Sequence, residues 1–293
     1  MTHVRSARDP GLRSDADTDL HAALRHKEAA LQQALQDLPS LLIAFSGGVD
    51  STYLAWAATR ALGRRALCVT ADSPSYPDAH RAMALAVARD FGLNHEFVRT
   101  AELERPEYRA NPANRCYFCK QELYTHLRAL ARARGIPVIA DGSNADDRGD
   151  YRPGRQAARE FGVRSPLDDA DLTKTEIRAL SRVAGLPTWD EPASACLSSR
   201  IPYFSEVTGD KLRMIERAEQ VLHDLGFRVC RVRHHDTIAR IELGRDEMPR
   251  ALEPGLAEAI DRELRAIGYQ HVTLDLRGYR LGSLNDALRL RVV

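Results

Sequence analysis

The chain has 293 residues, with 42 lysines and arginines against 41 aspartates and glutamates, and five cysteines. That length holds one large or two ordinary domains with ample core, and a formal net charge of +1 gives no electrostatic case for nucleic acid or a membrane as partner. An odd cysteine count in a chain that reads as α/β points to a reducing cytoplasm and away from a disulfide framework. The longest uncharged apolar stretch, around Leu38 to Phe45, is far too short to span a bilayer.

Residues 1 to about 16 are polar, rich in Arg and Asp and without period, which predicts a disordered tail. Arg5, Arg8 and Arg13 come without the apolar stretch of a secretory signal. Leu20, Leu24, Leu31, Leu35 and Leu38 mark a first amphipathic helix closed by Pro39. Leu41 to Phe45 predicts a buried parallel strand, broken by Ser46-Gly47-Gly48, with a helix from Thr52 onward. A strand over Arg65 to Ala71, a helix over Pro77 to Phe91 and a strand over His95 to Arg99 follow. Residues 102 to 119 are charged and broken by Pro and Asn, and carry Cys116-Tyr-Phe-Cys119. A helix from about Lys120 to Arg134 then leads to a strand at Pro137 to Ala140 and on to Asp141-Gly142-Ser143-Asn144-Ala145-Asp146-Asp147.

Strands alternating with helices of this length predict an α/β fold, a right-handed parallel sheet with helices on both faces. Thr173-Lys-Thr-Glu176 is a capping box that opens a helix to Val183. From Val207 the order changes to helix (207 to 225), strand (Arg228 to His234), strand (Thr237 to Leu243), helix (about 246 to 267) and strand (Gln270 to Leu276). The expected organisation is therefore a domain over 17–204 and a smaller α+β domain over 205–293. No repeat or low-complexity segment is present.

A strand, a glycine turn and a helix N-terminus together make an anion site, because the first N–H groups of the helix have no partner within it and the helix dipole favours negative charge there. Gly47 and Gly48 let the backbone approach a phosphate, and Ser46 and Ser51 add hydroxyl donors. The Gly-Lys-Ser/Thr ending of a Walker A loop is missing. Asp50 among phosphate-binding groups implies Mg²⁺ between carboxylate and phosphate. Ligands of such sheets sit beyond the carboxyl ends of the strands, so Ser46, Ala71-Asp72-Ser73 and the stretch Asp141 to Asn144, with Gly142, are expected to converge on one crevice. The segment Ser-Gly-Gly-Val-Asp-Ser resembles the pyrophosphate loop of ATP pyrophosphatases, which split ATP between its α- and β-phosphates; the plainer reading is a tight turn between strand and helix.

Cys116 and Cys119 have the spacing for metal, iron–sulfur or dithiol chemistry. Cys196 lies in a loop bounded by Pro192 and Pro202, an unsuitable place for a buried core cysteine. Three thiols leave one position open: zinc would want a histidine such as His126, His234 or His235 as fourth ligand, and a cubane cluster would leave one iron free. Cys68 and Cys230 fall inside strand patterns and read as core. Arg231 and Arg233 share one face of a strand, where a pair of guanidinium groups suits a phosphate or simply a solvated face. Arg200 reads as a further anion contact. Glu219 and Glu242 read as ordinary charge on a helix and a strand.

These motifs, with Pro192-Ala-Ser-Ala-Cys-Leu-Ser-Ser-Arg200-Ile-Pro, Arg231-x-Arg233-His-His and Gly278-Tyr-Arg-Leu-Gly-Ser-Leu-Asn285, resemble the LarE family of ATP-dependent sulfur transferases from about residue 20 to the C-terminus. The resemblance implies adenylylation of a carboxylate of pyridinium-3,5-biscarboxylic acid mononucleotide, followed by replacement of oxygen by sulfur, on the route to a nickel-pincer nucleotide. It implies ATP and Mg²⁺ at the loop, Cys196 where sulfur is delivered, and Arg231 and Arg233 on the substrate's phosphate. It also places Glu219 and Glu242 near a substrate or metal pocket, and implies a homo-oligomer. Family members with one cysteine here give up its sulfur; the added pair Cys116 and Cys119 resembles the three-cysteine variety, which carries a [4Fe–4S] cluster and takes sulfide or another sulfur source. The rival readings are a tRNA thiolase, against which the near-neutral charge speaks, an amide-forming NAD or GMP synthetase, which gives Cys196 no task, and a non-catalytic nucleotide-binding regulator, which needs neither the cysteines nor the arginine pair.

Overall fold

The computed structural model describes residues 15–149, 153–192, 195–280 and 282–285; the expected tail over residues 1–14 lies outside them, and residues 15 and 16 already belong to the first helix. Helix α1 (Asp15–Gln36) leads into β1 (Leu41–Ala44), α2 (Val49–Leu62), β2 (Ala66–Asp72), α3 (Asp78–Asp90) and β3 (Asn94–Arg99). After α4 (Pro106–Arg109) and α5 (Arg115–Arg134) comes β4 (Ile139–Ala140). The strands form one sheet in the order β3-β2-β1-β4, all parallel. Alternation along β1 decides which layer each residue joins. Leu41 and Ile43 pack into a core shared with Leu31, Leu35, Tyr53, Leu54 and Val87, while Leu42 joins Leu67, Leu123, Leu127 and Ala157 on the other face. Helices therefore cover both faces, as the alternating pattern requires, and each fully buried leucine of β1 contributes about 1.5–3 kcal/mol.

Three short helices escape sequence reasoning: α4, α6 (Pro153–Glu160) and α7 (Pro166–Asp169). Each opens on a proline, which reads as a breaker in the sequence but serves as a helix start because its missing N–H would have no partner there anyway. The capping box forms as expected at the head of α8 (Lys174–Val183), with Thr173 and Glu176 serving each other's backbone. Two starts are corrected. Helix α2 begins at Val49, three residues before Thr52, with Gly48 extended (φ −76°) and no side-chain cap. Helix α5 begins at Arg115, so Cys116 and Cys119 are its second and fifth residues and do not stand in a broken loop.

Helix α9 (Gly209–Asp224), β5 (Cys230–His235), β6 (Ile238–Leu243), α10 (Met248–Ala251), α11 (Pro254–Ile267) and β7 (His271–Leu274) make the second unit. The helix expected over 246 to 267 is divided, because Pro254 cannot continue α10. The sheet order is β5-β6-β7, with the first pair antiparallel and the second parallel, over a core of Leu222, Phe227, Val232, Ile241 and Leu264. A small apolar cluster of Tyr108, Leu197, Ile201, Val207, Leu212 and Ile215 joins α4, the loop after Cys196 and α9.

Candidate active site

The pyrophosphate-loop candidate is built from backbone. Gly47 has φ +69°, and a Cβ there would meet Ala84 Cβ at 3.2 Å, so the loop lies against α3 in a conformation that glycine alone adopts without strain. Ser51 Oγ receives the Ser46 N–H at 3.2 Å, lies 3.0 Å from Ser46 Oγ and donates to the Gly48 carbonyl at 3.1 Å. The strand-end stretch 141–144 comes so close that a Cβ on Gly142 would stand 2.9 Å from Ser51 N. Asp141 is held by Ser165 Oγ (2.8 Å), Tyr124 OH (3.1 Å) and the Ser143 N–H (3.1 Å). Buried Asn144 receives Asp146 N–H at 3.0 Å. Three strand ends thus meet at the head of α2, with Asp72 paired to Arg81 and Ser73 Oγ 2.9 Å from Ser75 Oγ.

Asp50, in the first turn of α2, is ion-paired with Lys174 at the start of α8. Burial pushes its carboxyl above the usual range, Lys174 acts in the opposite sense, and nearby Asp147 adds to the rise. Its Oδ1 is buried without a hydrogen-bond partner. An orphaned carboxylate oxygen facing a phosphate crevice fits the chemistry of Mg²⁺, which binds through one or two carboxylates plus phosphate oxygens.

The cysteine loop meets the same crevice. Leu197 N–H donates to the Ser75 carbonyl at 2.9 Å, and Ser75 Oγ donates to buried Glu102 at 2.6 Å. From the other side Arg115, buried and next to Cys116, donates to the Ser198 carbonyl at 2.9 Å, and Tyr108 OH lies 2.6 Å from Ser198 Oγ. Asn111 Nδ2 holds the carbonyls of Ile201, Pro202 and Ser205 at 3.3, 2.7 and 3.0 Å. Cys116, Cys119 and Cys196 are brought within electrostatic reach of one another. Burial, then Glu102, raises the Cys119 thiol; desolvation of its sulfur, then Cys196, raises that of Cys116, although the residue is exposed. Among the described residues, no three His, Cys, Asp or Glu side chains are gathered to hold a single metal ion. His234 lies 3.1 Å from Tyr269 OH in β5 and His126 pairs with Glu122. Cys68 and Cys230 are fully buried, as expected, and burial pushes both thiols up to about 12.

In the second unit Arg200 is 2% exposed and forks onto Glu219 through Nε (2.9 Å) and Nη2 (2.8 Å), while Nη1 serves the carbonyls of Ala195 (2.6 Å) and Cys196 (3.0 Å). Its guanidinium is thus engaged in fixing the cysteine loop. Arg233 Nη2 donates to Glu242 and Ser283 Oγ, both at 2.7 Å, and its Nη1 to the Ser199 carbonyl at 2.9 Å. Arg231 lies over the Tyr279 ring at 5.2 Å, and burial together with Arg200 lowers its pKa. Glu219 and Glu242 are therefore buried ion-pair partners, not surface charge. Sequence reasoning missed Lys174, Arg115, Tyr108 and Asn111. Lys174 was visible only as the second residue of a capping box, and the others lay in a stretch read as broken loop.

A parallel sheet with a glycine turn, two serines and an orphaned carboxylate at the head of its first following helix defines an ATP-using enzyme of the pyrophosphate-loop class. The Asparagine synthase family matches residues 25–146. A pyridinium-3,5-bisthiocarboxylic acid mononucleotide synthase of Lactiplantibacillus plantarum is 38% identical over 268 residues, 91% of this chain and 96% of that protein. An uncharacterized protein of Synechocystis is 45% identical over 265 residues, 90% of this chain and 99% of its own length. A glutamine-hydrolyzing GMP synthase of Methanopyrus kandleri is 26% identical over 207 residues, 62% of this chain and 62% of the synthase polypeptide. The chain belongs to the LarE family of ATP-dependent sulfur transferases.

Proposed function

We propose that this enzyme adenylylates a carboxylate of pyridinium-3,5-biscarboxylic acid mononucleotide and replaces an oxygen of that carboxylate by sulfur. The observation that carries the reading is the hydrogen bond from Leu197 N–H to the Ser75 carbonyl, which ties the Cys196 loop to the rim of the phosphate crevice. A carboxylate oxygen is a poor leaving group. When it attacks the α-phosphorus of ATP, pyrophosphate departs, and the oxygen can then leave with AMP as sulfur bonds to the carbon. Backbone N–H groups at the head of α2, with Ser46 and Ser51, hold the departing pyrophosphate. Asp50 would hold Mg²⁺, which neutralises charge on the phosphates. Ala71, Asp72 and Ser73, with Gly142 and Asn144, line the nucleotide side. Arg231 and Arg233 bind the substrate's phosphate; Arg200 acts by holding the cysteine loop, and a metal on Glu219 or Glu242 would have to displace an arginine.

Cys116, Cys119 and Cys196 are soft thiolate donors suited to a [4Fe–4S] cluster. In a cubane each thiolate binds a different iron, so the three sulfurs need not converge on one point. Bound there, the cluster would supply an open iron site for sulfide, the proposed sulfur source. The reducing cytoplasm expected from the cysteine count would keep the thiols available, and the family resemblance favours a homo-oligomer. The test is ATP–pyrophosphate exchange with and without the pyridinium dicarboxylate nucleotide. Exchange that depends on this nucleotide is expected; nucleotide-independent exchange, or exchange driven by tRNA or xanthosine monophosphate, would overturn the reading.

A further inference from the structure

Glu102, in the short turn after β3, is a carboxylate only 2% exposed. Among the described residues no cation pairs with it, and its oxygens receive hydroxyls alone: Ser75 Oγ donates to Oε1 at 2.6 Å and Thr100 Oγ1 to Oε2 at 2.8 Å. The shorter of these is in the range of a hydroxyl bonded to an ionised carboxylate. Ser75 Oγ lies 2.9 Å from Ser73 Oγ, which also accepts the Ser75 N–H at 3.2 Å. Each hydroxyl has one hydrogen. Ser75 gives its own to Glu102, so Ser73 is the donor to Ser75, and every hydrogen in the chain points inward. If Glu102 gains a proton it donates to Ser75, Ser75 donates to Ser73, and the chain reverses without moving an oxygen. Ser73 stands just past the end of β2, on the side of a parallel sheet where ligands bind. The turn that carries it is fastened to both loops of the site: the Ser75 carbonyl takes the Leu197 N–H at 2.9 Å, next to Cys196, and Tyr76 OH donates to the Ser46 carbonyl at 2.9 Å.

We propose that Ser73, Ser75 and Glu102 form a relay that takes up the proton released when sulfur replaces the adenylylated oxygen. The proposal rests on the reading of this enzyme as a sulfur transferase supplied by sulfide. Proton balance assigns the relay to the second half-reaction. A carboxylate that attacks ATP and expels pyrophosphate releases no proton. When hydrosulfide bonds through sulfur to the activated carbon, the carbon–oxygen bond to AMP breaks, its electron pair leaves with AMP, and the S–H proton has to go. It passes to Ser73 Oγ as the Ser73 proton moves to Ser75 and the Ser75 proton to Glu102, which becomes a neutral acid while the product is a thiocarboxylate anion. Glu102 acts through the two serines and touches no reacting atom. A structural strap explains it poorly, because a buried charge without a cation is costly. An uncharged amide would bridge the same two hydroxyls, accepting from Ser75 and donating to Thr100.

The experiment is single-turnover sulfur transfer from sulfide to the pyridinium dicarboxylate mononucleotide, with ATP, in wild-type, Glu102→Gln and Ser75→Ala protein at rising imidazole concentration. Ser75→Ala keeps the backbone carbonyl that holds Leu197. Losing a positioned proton acceptor corresponds to a rate loss of about 10²-fold or more. Both variants are expected to lose about that factor in the rate at saturating sulfide. Both should regain most of it as imidazole, a small external base, is raised, whereas the wild type ignores imidazole. A base does not repair a displaced loop, so a merely structural role would show no such rescue. In the wild type, the rate in mixtures of H₂O and D₂O should fall along a curve and not a line, since more than one proton moves at once; this decides the matter if the variants fail to fold. Variant rates within about threefold of wild type, a loss that imidazole leaves in place, or a linear dependence on deuterium would overturn the relay alone. A wild type that exchanges pyrophosphate yet moves no sulfur from sulfide would remove the reading beneath the relay, and the relay with it.

Discussion

Lys174, the first residue of α8, holds Asp50 of the phosphate turn in an ion pair across the mouth of the crevice. The aspartate side chain is 20% exposed and the lysine 35%, so the two are not equivalent. Lysine without its partner can turn to water; the carboxylate cannot. Lys174→Ala is expected to destabilise the protein by about 1–3 kcal/mol, the cost of leaving a mostly buried group unsatisfied, read by urea denaturation. Asp50→Ala should keep the fold and abolish pyrophosphate exchange. An Asp50→Ala protein that still forms AMP would show that the carboxylate has no part in nucleotide chemistry.

Gly142 is a steric prediction. Its missing side chain lets the strand-end backbone rest on α2, with only 2.9 Å from a would-be Cβ to Ser51 N and 3.1 Å to Ser51 Cα. Neither atom belongs to a flexible side chain, so Gly142→Ala has to push the backbone of the phosphate turn. A loss of about 1–3 kcal/mol and a clear weakening of ATP binding are expected; wild-type ATP affinity in calorimetry would refute this.

Arg200 and Glu219 form a forked pair with both side chains nearly sealed from water, 2% and 9% exposed. Removing one partner of such a pair costs about 3–5 kcal/mol, whereas replacing both by apolar residues of similar volume is often neutral. Glu219→Gln is the milder single change and Arg200→Met the harsher. The double variant Arg200→Met with Glu219→Leu should regain most of the stability in chemical denaturation yet lose sulfur transfer, since the carbonyls of Ala195 and Cys196 lose their donor.

The three thiols give a yes-or-no answer. Protein purified without oxygen should be brown and contain about four irons per chain, as a cubane requires. Serine at Cys116, Cys119 or Cys196 should each remove iron and sulfur transfer but spare pyrophosphate exchange, because the phosphate turn is built from other residues. If the active protein is colourless, and mass spectrometry finds Cys196 lighter by the mass of H₂S after one turnover, Cys196 is consumed as the sulfur donor.

His80 also sets a pH dependence. Burial, Arg200 and Arg231 lower its pKa from 6.5 to about 4, with His223 adding and Glu219 opposing. A histidine whose folded pKa lies below its unfolded one stabilises the protein fully above pH 6.5, and that contribution is lost as pH falls from 6.5 towards 4, because the unfolded chain takes up the proton first. Melting temperature should fall more steeply across this window for wild type than for His80→Gln. Parallel curves for the two proteins would show that His80 is not held uncharged.

The β-sheet was legible because hydrophobic runs and glycine stops act locally: Leu41 to Phe45 and the turn after it can be read without knowing what packs on them. The phosphate turn was legible for the same reason, as its chemistry lies in consecutive residues. What stayed hidden depends on distant pairing. Nothing near Lys174 announces Asp50, 124 positions away. Arg200 read as an anion contact because its carboxylate partner, Glu219, lies on another element. The first turn of α5 was hidden by Pro112 and Asn114, which suggest a loop but form the lead-in to the helix through bonds from Arg115 N–H to the Pro112 carbonyl and Tyr117 N–H to the Asn114 carbonyl.

Arg115, Cys116 and Cys119 stand together at the start of one helix, and each residue of a helix advances it by about 100° around the axis. Arg115 is locked by Ser198 and Asn111, so the rotation of the whole helix is indexed by the residue that precedes Cys116. The two thiols are consequently held in place by the fold itself, and binding a group there would require little ordering of the chain. By the same logic, inserting one residue between Arg115 and Cys116 would keep all three cysteines and leave the helix equally able to form, yet swing the pair away from Cys196.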